Sequence, residues 1–154
     1  MLKRKVYQEL LKWKAEANGK ALYIIGARQI GKTTLIRKFG KNEYEHFAEI
    51  NFVTDEKAAD IFKDKLTAEA IITNLTAYLQ TPLEPGKTLI LFDEVQECPA
   101  VRSAIKFLVE DGRFDYIESG SLLGVRYKEV RSYPVGFEQI LPMYPLDFEE
   151  YLWA

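Results

Sequence analysis

Gly26-Ala27-Arg28-Gln29-Ile30-Gly31-Lys32-Thr33 is the motif from which the fold of this chain can be predicted. It fits the phosphate-binding pattern G-x-x-x-x-G-K-[ST] without a mismatch. The apolar residues 21–25 before it are typical of a buried strand, and residues 34–40 after it are typical of a helix that ends at a glycine. Because this motif needs a strand, a glycine-containing loop and a helix in that order, we predict a loop that binds phosphate groups.

The chemistry of the predicted loop follows from its glycines and from the residues after them. Gly26 allows a tight turn out of the strand, and Gly31 lets the backbone approach phosphate oxygens closely. Successive backbone N–H groups then form an anion-binding nest at the positive end of the next helix. We expect Lys32 to reach the β- and γ-phosphates and the Thr33 hydroxyl to bind Mg²⁺. The alternative is a chance glycine loop with a solvated lysine.

The residues expected to bind the nucleotide include the whole loop and the start of the helix. They are Gly26, Ala27, Arg28, Gln29, Ile30, Gly31, Lys32, Thr33 and Thr34.

Length and composition indicate a single globular domain over residues 1–154, with 47% hydrophobic and 29% charged residues. The formal net charge of −2 does not support nucleic-acid binding. Cys98 is the only cysteine in the sequence, which excludes an internal disulfide and a cysteine metal cluster. No apolar run reaches membrane-spanning length, and no signal-peptide core follows the basic N-terminus. We therefore expect a cytoplasmic protein without a membrane partner.

Strands alternate with helices along the chain, which predicts an α/β fold with a mostly parallel sheet and helices on both faces. Residues 1–19 form the predicted leading amphipathic helix, with Leu10 and Ala17 on its apolar side. After a second strand, Thr54-Asp55 is expected to cap a helix. The predicted strands after the first are residues 45–52, 87–92, 114–118 and 135–144, the last at an edge because of Pro142.

Residues 145–154 look like the start of a further amphipathic helix, capped by Asp147. No helix stop signal follows, so we expect that this helix is truncated and that a C-terminal region normally continues the chain. Tyr144 and Phe148 are expected to lie in the core.

A second group of candidate site residues is Asp93-Glu94, at the end of the apolar strand before it. We expect Asp93 to hold Mg²⁺ opposite Thr33, and Glu94 to orient and deprotonate a water molecule. Alone, two acids at a strand end can equally be a solvated turn. The Asp-x-x-Gly and Asn-Lys-x-Asp elements of switch GTPases are absent from the sequence, which favours ATP hydrolysis.

Ser119 and Ser121 follow the next strand and would lie beside Asp93-Glu94 if the two strands are neighbours. They are candidates for holding the attacking water or sensing the γ-phosphate, and the alternative is a plain Gly-Ser turn. Asn51, at the end of the second strand, is a weaker candidate for restraining Glu94, and an ordinary strand-end asparagine is the better interpretation.

An added arginine would help a transferring γ-phosphate. Arg126 and Arg131 are the candidates, although a solvated arginine is the better interpretation of each.

The loop, the phrase Phe92-Asp93-Glu94-Val95-Gln96 and residues 145–152 together resemble a bacterial and archaeal group of AAA-type ATPases, related to the archaeal ATPases and the STAND NTPases. The resemblance implies an ASCE P-loop three-layer sandwich of about five strands in the order 5-1-4-3-2. It also implies the roles given above, with Ser119 or Ser121 as the sensor. Relatives often have Gly-Arg where this chain has Gly136-Phe137, so an arginine at that point is not expected here.

The leading hypothesis is an Mg²⁺-dependent ATPase module that couples its nucleotide state to an attached C-terminal region, a protein partner or a second copy. The alternatives are a nucleotide switch that does not hydrolyse ATP by itself and a small-molecule kinase.

Overall fold

A parallel five-stranded sheet lies at the centre of the computed structural model, which describes residues 3–64, 66–121 and 136–154. The strands are β1 (Ala21–Gly26), β2 (His46–Asn51), β3 (Thr88–Asp93), β4 (Asp115–Ser121) and β5 (Glu138–Pro142). The α-helices are α1 (Val6–Glu16), α2 (Lys32–Glu43), α3 (Ala68–Tyr78), α4 (Ala100–Asp111) and α5 (Phe148–Leu152). Two short 3₁₀ helices cover Glu56–Phe62 and Val95–Glu97.

The strand order is β2-β3-β4-β1-β5, which is the predicted order of a P-loop ATPase sheet. β1 lies between β4 and β5 and pairs in parallel with both. In this register Ile24 is opposite Ser119 and Gly26 is opposite Ser121. In the parallel pairing of β2 with β3, Asn51 is opposite Asp93. The carboxyl ends of the strands therefore bring the predicted site residues to one edge.

Alternate side chains of the sheet pack into two separate cores, which makes the structure a three-layer sandwich. On one face, Leu22 and Ile24 pack with Phe39 of α2 and with Leu10 and Trp13 of α1. On the other face, α3, α4 and the longer 3₁₀ helix pack against the second set of buried apolar side chains of the sheet. The buried residues of this second face include Tyr23, Phe92, Tyr116, Ile71, Leu75 and Ile105.

The leading helix is shorter than the predicted residues 1–19. It begins at Val6 and ends at Glu16, and Ala17 takes a left-handed conformation with φ 45°. Ala17 is therefore exposed rather than part of the apolar face. The Trp13 indole N–H donates to the carbonyl of Lys20 at 2.9 Å, which connects the helix end to β1.

The segment after β2 differs from the predicted helix capped by Thr54-Asp55. It is a 3₁₀ helix, Glu56–Phe62, and no side chain caps its start. The Asn51 carbonyl oxygen Oδ1 instead accepts hydrogen bonds from the N–H groups of Val53 and Thr54, at 2.9 and 3.1 Å. This Asn-centred turn takes up the backbone donors at the point where the helix was expected to begin.

The C-terminal helix α5 has the predicted Asp147 cap. The Asp147 carboxylate accepts from the Glu150 N–H, and the Glu150 carboxylate accepts from the Asp147 N–H, which together form a capping box. The expectation that Tyr144 and Phe148 lie in the core is wrong, since they are 70% and 78% exposed. In the described residues, no helix has the length and apolar character needed to cross a membrane.

One titratable carboxyl group lies inside the second core. Glu118 of β4 is fully buried, and the carboxyl group of Glu138 and the guanidinium of Arg102 lie beside it. Arg102 forms a buried ion pair with Glu138, with 2.5 Å between Nη2 and Oε1. Burial raises the pKa of Glu118 well above its ordinary value, and the neighbouring Glu138 carboxyl adds to this shift.

Candidate functional site

The glycine loop between β1 and α2 has a backbone conformation that depends on its two glycines. Gly31 has φ 92°, in the left-handed region that glycine adopts without strain. A Cβ atom on Gly26 would lie 2.5 Å from the Met143 carbonyl oxygen and 2.7 Å from Ile30 Cδ1. Glycine at both positions therefore allows the loop to close over the end of β1.

The Lys32 ammonium group lies inside this loop. It donates to the carbonyl oxygens of Gly26 and Ala27 at 3.0 and 2.5 Å, and the residue is only 6% exposed. Burial lowers the pKa of Lys32, although the carboxylates of Glu94 and Asp93 oppose the shift. The positive charge thus lies between the loop and the two acids of β3.

Asp93 is the centre of a hydrogen-bond network at the end of β3. The Thr33 hydroxyl donates to its Oδ2 at 2.9 Å, and the Asn51 amide donates to the same oxygen at 3.2 Å. The Ser119 hydroxyl donates to Oδ1. Asn51 therefore contacts Asp93 and not Glu94 as predicted, because its side chain faces the strand-end residue directly opposite it in the sheet.

Glu94 follows Asp93 with a left-handed backbone, φ 60° and ψ 49°. Its N–H donates to the Ser119 hydroxyl at 3.3 Å. Its carboxylate oxygen Oε2 accepts a hydrogen bond from the Gln96 side-chain amide. The oxygen of the same Gln96 amide, Oε1, accepts a hydrogen bond from the Ser121 N–H at 3.4 Å.

The Ser119-Gly120-Ser121 segment lies within β4 and is not the turn that was the alternative interpretation. Sheet pairing keeps it extended, because Ser119 and Ser121 are opposite Ile24 and Gly26 of β1. Ser119 therefore reaches the Asp93-Glu94 pair through its hydroxyl, and Ser121 is connected to Glu94 through its backbone and Gln96.

These residues fit a phosphate group with a bound cation. Oxygen donors are what Mg²⁺ prefers, and the Thr33 hydroxyl and the Asp93 carboxylate provide them side by side. The loop backbone and Lys32 supply the positive groups that face a phosphate. Arg28 is exposed, and Arg126 and Arg131 lie outside the described residues.

A cavity of about 590 Å³ adjoins the loop and was not predicted from the sequence. Its walls include Ile30, Gly31, Thr34 and Leu35 of the loop and α2, with Arg4, Pro145 and Leu146 from the two ends of the chain. No local motif indicates such a cavity, since segments distant in sequence form it.

Arg4 holds these distant segments together. Its guanidinium donates to the carbonyl oxygens of Ile30 and Tyr144 at 2.9 and 2.6 Å. It also forms an ion pair with Glu150 of α5, with 3.3 Å between Nε and Oε1. Burial alone would raise the pKa of Glu150, but N–H donors from Lys5 and Asp147, with Arg4 beside it, lower the pKa below its usual value.

Comparison with solved structures finds a similar fold in two proteins. A Walker-type ATPase of Pyrococcus abyssi is 15% identical with a TM-score of 0.57, over 97% of this chain and 55% of that one. The Pif1 helicase from Candida albicans is 13% identical with a TM-score of 0.59, over 98% of this chain and 42% of that one. This chain therefore spans about half the length of the first structure. No curated protein matches it.

The sequence profile of the AAA_14 family, described as an AAA domain, matches residues 18–152. That range includes all five strands, the glycine loop and the Asp93-Glu94 pair. The match agrees with the resemblance to AAA-type ATPases, and it supports a nucleotide-binding function of the ATPase type. Because the profile covers most of its length, the chain belongs to the AAA_14 family of AAA domains.

Proposed function

We propose that this chain is an Mg²⁺-dependent module that binds and hydrolyses ATP. The main support is the convergence of Lys32, Thr33, Asp93 and Glu94 at the carboxyl ends of β1 and β3. In parallel α/β sheets this edge is where ligands bind.

In this proposal the glycine loop and Lys32 bind the phosphates of ATP. Thr33 and Asp93 hold Mg²⁺, which neutralises phosphate charge when it is bound. The hydroxyl of Thr33 donates to Asp93 at 2.9 Å, so the two oxygen ligands are already adjacent. Ser119 fixes the second Asp93 oxygen and thereby the orientation of the carboxylate.

Glu94 is the proposed general base. It takes a proton from a water molecule as the water oxygen bonds to the γ-phosphorus and the bond to the ADP oxygen breaks. Within the described residues, Oε1 of Glu94 accepts no hydrogen bond, and Oε2 is held by Gln96. One carboxylate oxygen is therefore able to accept the proton.

The cavity beside the loop is the proposed site of the nucleobase and ribose. It adjoins Gly31 and has apolar walls from Ile30, Leu35 and Leu146, which suit a flat aromatic base. The absence of a guanine-reading Asn-Lys-x-Asp element from the sequence favours ATP over GTP.

We also propose that the nucleotide state is transmitted to a C-terminal region or a partner protein. Arg4 contacts Ile30 of the loop and Glu150 of α5, so it connects the phosphate site to the C-terminal segment. The length of the Pyrococcus abyssi ATPase, of which this chain covers 55%, is consistent with such a region. A cytoplasmic location, where ATP and Mg²⁺ are present, is part of the proposal.

The test compares the native protein with Glu94→Gln and Lys32→Ala in magnesium buffer. We expect Glu94→Gln to bind ATP and to lose at least about a hundredfold in turnover, since general bases contribute that much or more. Lys32→Ala should lose ATP binding, measured by calorimetry. EDTA should abolish turnover of the native protein. Equal turnover in all three proteins would contradict the proposal, and phosphate transfer to an alcohol instead of water would indicate a kinase.

A further inference from the structure

Gln96 lies in the short 3₁₀ helix Val95–Glu97, directly after the proposed base, and is only 9% exposed. Its side-chain amide makes two hydrogen bonds in opposite roles. Nε2 donates to Oε2 of Glu94, and Oε1 accepts from the Ser121 N–H at 3.4 Å. Because a backbone N–H can only donate, this pair of contacts fixes which end of the amide faces Glu94.

We infer that Gln96 is a positioning residue for Glu94, an inference that rests on the proposed ATPase function. A carboxylate on a short turn can rotate, and a proton acceptor must point at the attacking water in the transition state. The Gln96 amide holds Oε2 of Glu94, and within the described residues Oε1 accepts no hydrogen bond. Gln96 itself does not touch the reacting atoms.

The packing around Gln96 supports this role. A Cβ atom on residue 120 would lie 3.2 Å from Gln96 Oε1 and 2.6 Å from the Tyr23 hydroxyl, so Gly120 leaves the space that the amide occupies. The buried position and the Ser121 contact restrict the amide to one orientation. A restricted amide can position a carboxylate better than a mobile one.

Asn51 does not have this role. Its amide nitrogen donates to Asp93, and its Oδ1 accepts from Val53 and Thr54. In the described part of the chain, the side chain that donates to the Glu94 carboxylate is that of Gln96.

The same contacts connect Glu94 to the phosphate loop. Ser121, which donates to Gln96, is paired in the sheet with Gly26, the first residue of the loop. A change in the end of β1 or β4 on nucleotide binding would therefore move the amide that holds the base.

The kinetic test uses Gln96→Met, which keeps the side-chain volume and removes the hydrogen bonds, and Gln96→Glu, which replaces the donor with a repelling charge. We expect kcat to fall at least about tenfold in both variants, because a misplaced catalytic group costs that much or more. The KM for ATP should stay within about twofold, since Gln96 makes no contact with the phosphate loop side chains. The exposed Gln80→Ala is the matched control and should retain native kcat.

A double-mutant cycle separates positioning from a general structural effect. In the Glu94→Gln background, Gln96→Met should cause no further loss of kcat, because there is no carboxylate left to orient. An additive loss would show that Gln96 acts through the fold and not through Glu94. Urea unfolding of each variant establishes that the protein is folded in the assay. If Gln96→Met does not fold, the Gln96→Glu variant and the resonance comparison described below decide whether Gln96 positions Glu94.

A measurement without nucleotide checks the contact directly. The side-chain amide resonances of Gln96 in the ligand-free protein should shift on Glu94→Ala, while those of Gln80 should not. An unchanged Gln96 resonance, or native kcat in Gln96→Met, would overturn the inference. If native protein does not hydrolyse ATP, or if Glu94→Gln does not affect turnover, the proposed function fails instead, and the resonance shift still reports on the contact.

Discussion

Glu94 has a left-handed backbone conformation that residues other than glycine rarely adopt. The left-handed region costs a residue with a Cβ atom about 1 kcal/mol, and such strain is often found at functional sites. Here the conformation turns the chain sharply after β3 and places the carboxylate against Gln96.

We predict that Glu94→Gly is more stable than Glu94→Ala by about 1 kcal/mol, because glycine has no Cβ to strain at φ 60°. Both variants lack the carboxylate, so the comparison isolates the backbone term. Urea denaturation measures the difference in the free energy of unfolding. Equal stability of the two variants would show that the turn is relaxed.

A second prediction at this scale concerns Glu118, which is buried beside Glu138 and Arg102. Its pKa is raised in the folded state, so the folded protein keeps a proton that the unfolded chain releases above about pH 4.5. The native protein therefore loses stability as the pH rises from this value toward the raised pKa, by at most about 1.4 kcal/mol per pH unit.

The substitution Glu118→Gln replaces the titrating carboxyl group of Glu118 with a neutral amide. We expect the variant to match the native protein near pH 5 and to exceed it in free energy of unfolding at pH 8, measured by urea denaturation at both values. The exposed Glu110→Gln is the control and should show the native pH dependence. A Glu118→Gln variant that is equally stabilised at both pH values would contradict the argument.

At the scale of the secondary-structure elements, the sequence predictions agree with the structure where the feature depends on residues close together in the chain. The strand, loop and helix of the phosphate motif and the cap at Asp147 all involve residues within a few positions of one another. The predicted strand order also agrees with the structure, because the resemblance to AAA-type ATPases implied it.

One difference from the predictions arises in a local turn, and the others named here depend on contacts between distant residues. Asn51 forms its own turn and replaces the expected cap at Thr54-Asp55. β4 continues through Ser121 because pairing with β1 keeps it extended. The cavity and the Arg4 contacts join the two ends of the chain, and Gln96 acquires its role only through a strand that lies after it in sequence.

A third prediction follows from the Arg4–Glu150 pair, which connects the N-terminal segment to α5. Arg4→Ala leaves the buried Glu150 carboxylate without its ion-pair partner, and we expect a loss of about 2 kcal/mol in the free energy of unfolding. Arg4→Ala combined with Glu150→Ala should lose less than the sum of the two single changes. The exposed Lys12→Ala is the control. Strict additivity in this cycle would mean that the pair does not hold the two segments together.

For the molecule as a whole, ligand binding should appear as added stability. The proposed MgATP site is present in the folded protein and not in the unfolded chain, so MgATP at about a hundred times its Kd should add about 2.7 kcal/mol. We expect a higher Tm for the native protein in MgATP, a smaller rise with ATP and EDTA, and none for Lys32→Ala. An equal rise for Lys32→Ala would place the bound nucleotide outside the glycine loop.

The position of β1 in the sheet has a consequence for biosynthesis. Both strands that pair with β1, Asp115–Ser121 and Glu138–Pro142, lie in the later part of the chain. While the nascent polypeptide is being translated, β1 leaves the ribosome long before either neighbouring strand is available, and the backbone hydrogen-bonding groups on both of its edges remain unpaired. Such nonlocal pairing slows folding and favours aggregation, so we expect yields on overexpression to depend on chaperones.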